Sequence, residues 1–255
     1  MDRNILGSLA VRYEGNWQKI AAAVKRDEQI ILPVKDAFIT IMDREYPECL
    51  RELAYPPWVL FYEGDISLLQ KPMVSVVGSR RLIPYGRKMT ELVSSVLAEK
   101  YTVVSGMAKG ADACAHSVAM KKGRTVGVIG SGLGTSYPKE NLALYKEMRK
   151  TQLIISEFPH DTGVRKHHFP WRNRILAALG SRIFVTQAEE KSGTMITVNE
   201  ALELAKDVYC VPYPFASREG KGCSRLIAEG AMILYDIEQL REIAALQDGI
   251  TRQNV

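Results

Sequence analysis

From Met73 onward the chain repeats one unit about seven times: a short apolar run, then a helical stretch, joined by brief connections. The runs are MVSVV (73–77), TVVSG (102–106), TVGVIG (125–130), LIISEF (153–158), RIFVTQA (182–188), VYCVP (208–212) and MILY (232–235). They are continuously apolar rather than alternating, which marks parallel strands covered on both faces. Between the first two, Met89, Leu92, Val93, Val96 and Leu97 recur with helical spacing and make one apolar face. Right-handed crossovers then predict an α/β fold with a doubly wound, mostly parallel sheet.

WVLFYEG (58–64) is expected to add an edge strand. Residues 1–44 read as a short helical N-terminal segment, with WQKIAAAVKRDE as an amphipathic helix and DAFITIMDREYPECLREL as a helix or connector. The main domain is expected over 45–240, followed by a C-terminal tail over 241–255.

Composition narrows the class. The 255 residues carry 34 Lys+Arg against 29 Asp+Glu, a net charge of +5. With 46% hydrophobic and 25% charged residues, the chain has an ordinary globular balance. A chain of this size buries roughly 70–75% of its unfolded surface and needs no staples. No apolar run approaches the roughly 18 residues of a membrane span, so no membrane role is expected. The N-terminus lacks the basic-then-apolar plan of a secretory signal, and a cytoplasmic location is the expectation. Cys49, Cys114, Cys210 and Cys223 form no CxxC and read as small apolar residues in a reducing compartment. No HExxH, GxSxG or Walker A pattern is present, and neither a metal nor a cofactor is expected.

In a doubly wound sheet, ligands gather at the carboxyl ends of the strands. Those ends carry Gly78-Ser79-Arg80-Arg81, Ser105-Gly106, Gly130-Ser131-Gly132 and, ahead of a helix, Ser192-Gly193-Thr194. Glycine turns and free N–H groups on one rim predict an anion site. A nicotinamide dinucleotide is disfavoured: GSGLG runs into Tyr137-Pro138 rather than a helix, and Ser105-Gly106 stands where a ribose-binding acid is needed.

The segment 158–174 is long for a connection. Arg165, Lys166, Arg172 and Arg174 fall within ten positions, with Phe169 and Trp171 among them and no acid. Cations hold phosphates and flat rings stack on bases, so this mixture suits single-stranded nucleic acid. His167-His168 lacks a third ligand and reads as non-metal.

Two other readings stay open on the residues alone. Asp112 and His116 share a helix face and form either an acid/base pair or a structural clamp. Ser192-Gly193-Thr194 with Glu200 resembles the GGxGTxxE loop of LOG-type ribohydrolases, although Ser192 replaces the first glycine and the acid is offset. That predicts hydrolysis of a nucleoside monophosphate by Glu157 or Glu200, which free adenine released from AMP would reveal. A nucleotide-sensing scaffold, binding without hydrolysis, is the third reading.

The string VVGSR…YG, SGMAKGADACAH, GSGLGTSYPKEN, SEFP…FPWRNRILAAL and KSGTMITVNEAL resembles the DNA-processing protein A family (DprA, also called Smf) over about residues 46–236. The resemblance implies an extended Rossmann-like domain that binds single-stranded DNA as a homodimer. It further implies loading of the RecA recombinase, past single-strand-binding protein, during natural transformation, without catalysis. It assigns the DNA pocket to Gly78, Ser79, Arg80, Lys166 and Phe169, formed or supported by Arg172, Asn173 and Arg174. Ser105, Gly106, Gly130, Gly132, Ser192, Gly193 and Thr194 are expected to support it. The N-terminal segment is shorter than the helical domain of many members, and the stretch after the last strand is too short for their winged-helix domain. Single-strand binding is therefore expected to rest on the central domain.

Overall fold

The computed structural model describes residues 2–246. Helices α1 (Arg3–Arg12) and α2 (Trp17–Lys25) lead into strand β1 (Ala37–Thr40), the short helix α3 (Glu48–Arg51) and strand β2 (Val59–Gly64). The regular part follows as β3 (Met73–Val77), α4 (Pro84–Ala98), β4 (Thr102–Ser105), α5 (Ala111–Lys122), β5 (Arg124–Ile129), α6 (Leu142–Thr151) and β6 (Leu153–Ser156). It continues as α7 (His168–Leu179), β7 (Arg182–Val185), α8 (Gly193–Glu203), β8 (Asp207–Cys210), α9 (Lys221–Ala228), β9 (Met232–Ile233) and α10 (Ile237–Ala245).

The strands form one sheet in the order β1-β2-β6-β5-β4-β3-β7-β8-β9. Every pair from β6 to β9 is parallel, while β2 runs antiparallel to β6 and β1 antiparallel to β2. The doubly wound sheet is thus the one expected, with two corrections at its start. WVLFYEG is not the edge, because AFIT pairs outside it as β1. The sheet also crosses the expected boundary at residue 44. Four residues without clear alternation, flanked by Asp36, carry little local strand signal.

Layering follows from the pleat. Val103 joins the core beneath α4 and α5, whereas its neighbour Val104 joins the core beneath α7. The predicted α4 face is used: Val93, Val96 and Leu97 are buried, and Met89 packs against them. Pro84 opens α4 at a position where its missing N–H costs nothing. Ala111, Ala115 and Ala119 recur every fourth residue on α5 and let it lie close to α4 and the sheet. At the β2 end, Leu6, Leu9, Ile20 and Ala23 of the N-terminal helices share a third core with Phe61, Tyr145 and Met148.

At the other end, Leu226 and Leu234 are core residues, Ile227 packs against them and Ile233 is exposed. Helix α10 crosses the expected boundary at residue 240, burying Leu240, Ile243 and Ala244. The rest of the expected tail, 247–255, lies outside the described residues. All four cysteines are free, three of them buried. Among the described residues no helix is long and apolar enough to cross a membrane, and no cluster of side chains suits a metal ion.

Candidate functional site

From β3 the chain winds one way to β6, then crosses back to β7 and winds the other way. The loops leaving β3 and β7 therefore diverge and open a crevice at their carboxyl ends. A cavity of about 620 Å³ lies there, within the size range of ligand pockets. Its walls are the loop after β3, the loop after β7 and the first turns of α7.

Arg80, Lys166 and Phe169, expected together from sequence, line this one cavity, as do Gly78 and Ser79. The Arg80 Cζ stands 5.5 Å from the centroid of the Phe169 ring, a cation–π contact. Tyr137 flanks the same ring, with centroids 5.7 Å apart. Arg80 and Lys166 are exposed, and neither has a carboxylate partner among the described residues.

The Arg80 loop is held in shape from both sides. The Ser79 N–H donates to the Gln187 carbonyl at 2.8 Å, and the Ser79 carbonyl accepts from Ala111 N–H at 3.0 Å. The Gln187 side chain then clamps the loop, donating to the Arg81 carbonyl at 2.9 Å and accepting from Ile83 N–H at 3.1 Å. A loop tied this way loses less entropy when it receives a ligand.

On the facing wall, Ser192, Gly193 and Thr194 line the cavity where α8 begins. The first N–H groups of a helix lack internal acceptors and favour an anion. The Ser192 hydroxyl is shielded and makes no hydrogen bond. This turn and the one after β3 thus face the cavity as expected.

Of the connections after β4 and β5, Ala108 and Tyr137 line the cavity, whereas Ser105, Gly106, Gly130 and Gly132 do not and instead make room for groups that do or hold the rim in shape. A Cβ on Gly106 would stand 2.7 Å from both Arg172 Nη2 and Asp112 Oδ2, and one on Gly130 would stand 3.3 Å from the Phe169 ring. Gly132 packs its backbone against the 159–160 carbonyls, and the Ser105 hydroxyl donates to the Val76 carbonyl at 2.7 Å.

The segment 158–174 departs most from expectation. Helix α7 starts at His168, so FPWRNR is helical rather than loop. Pro170 is tolerated because it lies in the first turn, where N–H groups have no intrahelical acceptor. Helical geometry then buries two of the four cations expected at phosphates. Arg172 reaches the cavity floor, but the residue is only 4% exposed and its guanidinium donates to the Gly106 carbonyl at 2.7 Å and to the Val128 carbonyl. Arg174 stays out of the cavity, donating to Glu157 Oε1 at 2.6 Å and the Tyr55 carbonyl at 3.0 Å, with its Cζ 4.1 Å from the Trp171 centroid. Asn173 lines the cavity and donates to the Gly193 carbonyl at 3.4 Å, tying α7 to α8. Arg165 points away and pairs with Glu14 at 2.7 Å.

Two further cations replace those that are buried. Arg81 and Lys191 line the cavity and are exposed. Arg81 meets Glu189 at 3.3 Å, but with the arginine 86% exposed such a pair is weak and easily exchanged. Their signal lay in GSRR and EEKSGT, one position from residues already singled out.

The two acids named for the hydrolytic reading stand outside the cavity. Neither Glu157 nor Glu200 lines the cavity, and burial raises the Glu157 pKa while Arg174 opposes the rise. Asp112 reaches the cavity wall but is buried, with burial raising its pKa and Arg172 opposing the rise. His116 is fully buried against Thr125 at 2.7 Å and held neutral, its pKa pushed down to about 3 by burial. The pair therefore clamps α5 to different neighbours.

Comparison with known proteins gives the same direction. Residues 37–245 match the family model described as DNA recombination-mediator protein A. The DNA processing protein DprA of Bacillus subtilis is 38% identical over 207 residues, covering 80% of this chain and 70% of that protein. The X-ray structure of DNA processing protein A from Streptococcus pneumoniae superposes with a TM-score of 0.79 at 34% identity, covering 95% of this chain and 87% of that one. DNA processing protein A from Helicobacter pylori, studied for its single-stranded DNA binding mode, gives 0.75 at 29% identity, covering 82% and 96%.

Proposed function

The chain belongs to the DNA recombination-mediator protein A family, and from that premise we propose that it binds single-stranded DNA in the crevice between β3 and β7. The observation that carries the reading is the convergence of Arg80, Lys166 and Phe169 on one cavity. Arg80, Arg81, Lys166 and Lys191 meet phosphates, the α8 N-terminus receives another anionic oxygen, and Phe169 stacks on a base. Phosphate contacts and ring stacking are sequence-tolerant, so recognition is nearly independent of sequence.

Anisotropy titration with oligo-dT at several salt concentrations tests this. Four neutralised phosphates predict a slope near −2.8, so a fourfold rise in salt weakens binding about 50-fold. Phe169→Ala removes a stack of about 1–3 kcal/mol and leaves the slope nearly unchanged. Salt-independent binding, or equal affinity for duplex, overturns the reading. Mass measured alongside tests the homodimer that we include in it.

We further propose that the chain acts by binding rather than turnover, in the cytoplasm, and delivers the strand to RecA past single-strand-binding protein during natural transformation. RecA ATPase on strands coated with single-strand-binding protein is expected to start sooner when the chain is present. An unchanged lag rejects the delivery step.

A further inference from the structure

The start of α7 has two faces. Lys166, Phe169 and Asn173 look into the crevice, while Arg165, His168 and Trp171 line a second cavity of about 340 Å³ on the other side. The far wall of this second cavity is the turn between α1 and α2, with Glu14, and the first turn of α2, with Trp17 and Lys19. That turn sits hard against the end of β6: a Cβ on Gly15 would stand 2.9 Å from the Glu157 carbonyl oxygen. The two cavities thus share one wall, and the adjacent residues Arg165 and Lys166 serve one each.

The second cavity offers the same chemistry as the first. Trp17 and Trp171 are linked through the Tyr55 ring at centroid distances of 5.1 and 5.6 Å. Both indoles are half-buried: Trp171 carries the Arg174 guanidinium at 4.1 Å and Trp17 packs on Trp58 at 5.5 Å, so each meets a base with the part of its ring that these neighbours leave uncovered. Lys19 and Arg165 are exposed cations beside them. The acid that lines this cavity, Glu14, pairs with Arg165 at 2.7 Å across an exposed contact that a phosphate can displace.

We infer that the second cavity is a second nucleotide subsite, taking the part of a single strand that passes over the start of α7. Lys19 and Arg165 hold its phosphates, and Trp171 and Trp17 offer rings to its bases. Glu14 competes for Arg165 and makes this subsite weaker than the first. The inference rests on the crevice being the primary single-strand site.

The molecule carries its own reporter. Its three tryptophans are Trp17, Trp58 and Trp171, and the Trp58 ring lies 5.5 Å from that of Trp17. Tryptophan emission therefore reads the second cavity. Oligo-dT graded from about 4 to about 16 nucleotides, the range of known single-strand site sizes, is titrated by anisotropy and emission together. Short oligomers are expected to bind without changing emission. Longer ones are expected to quench it and to bind about tenfold more tightly. Lys19→Glu with Arg165→Glu abolishes the quench and the length gain, cuts the slope for long oligomers by about 1.4 and spares short ones. Glu14→Gln tightens long oligomers about threefold only. Emission unchanged at every length, or wild-type affinity of the double variant for long oligomers, overturns the second subsite. Short-oligomer affinity unaffected by Arg80→Ala instead overturns the primary site, and absence of binding at any length overturns both.

Discussion

Replacing Arg80 and Lys166 together by alanine is expected to weaken oligo-dT binding roughly 150-fold. Each removes a charge-assisted contact of about 1.5 kcal/mol, and about 1.4 kcal/mol is a factor of ten. With oligomers short enough to occupy the crevice alone, the salt slope should fall from about −2.8 to about −1.4, because two of four phosphates lose their cation. Folding should be untouched: both side chains are exposed and neither has a carboxylate partner among the described residues. Anisotropy at several salt concentrations, with thermal melting in parallel, reads all three. A weakened complex with an unchanged slope would mean that the two cations act on shape rather than on phosphate.

Arg172→Met is expected to act through stability instead, costing about 3–5 kcal/mol, as when one partner of a buried charge pair is removed. The Gly106 and Val128 carbonyls lose their donor, and Asp112 loses the cation that opposes its desolvation. Burial already raises the Asp112 pKa above its ordinary value, and without Arg172 it rises further. The folded state then holds the proton more tightly than the unfolded chain. Stability is therefore lost as pH rises from the ordinary aspartate range through the raised value, and the deficit shrinks toward acid. Urea denaturation on either side of that window measures it. Asp112→Asn in the same chain should recover part of the loss and remove the pH dependence. A deficit independent of pH would show that the carbonyls, not Asp112, are what Arg172 serves.

How far the molecule could be read beforehand depended on which signals are local. Continuous valine-rich runs with one-faced helices between them reveal a buried parallel sheet, because strand burial is written into consecutive residues. The loops that carry Arg80, Lys166 and Phe169 were legible for a related reason, since a doubly wound sheet brings its strand ends to one rim, but it was the family resemblance that singled out these three residues within them. Burial of arginine is not local. Arg172 and Arg174 look like Lys166 in sequence, and only the onset of α7 at His168 turns them inward. Pro170, beside cations and rings, disguised that onset. The 169, 172, 173, 176 spacing on the cavity side was the signal available. β1 escaped because its pairing with β2 spans some twenty residues and its own four say little. Gln187 escaped because its importance lies in two hydrogen bonds to a loop a hundred positions away.

The sheet ends in a four-residue strand on one side and a two-residue strand on the other. Short outer strands expose few unpaired N–H and C=O groups, which removes the template that foreign backbone needs for growth. Wherever copies of this chain come close together, two such abbreviated margins give intermolecular strand pairing little to extend from.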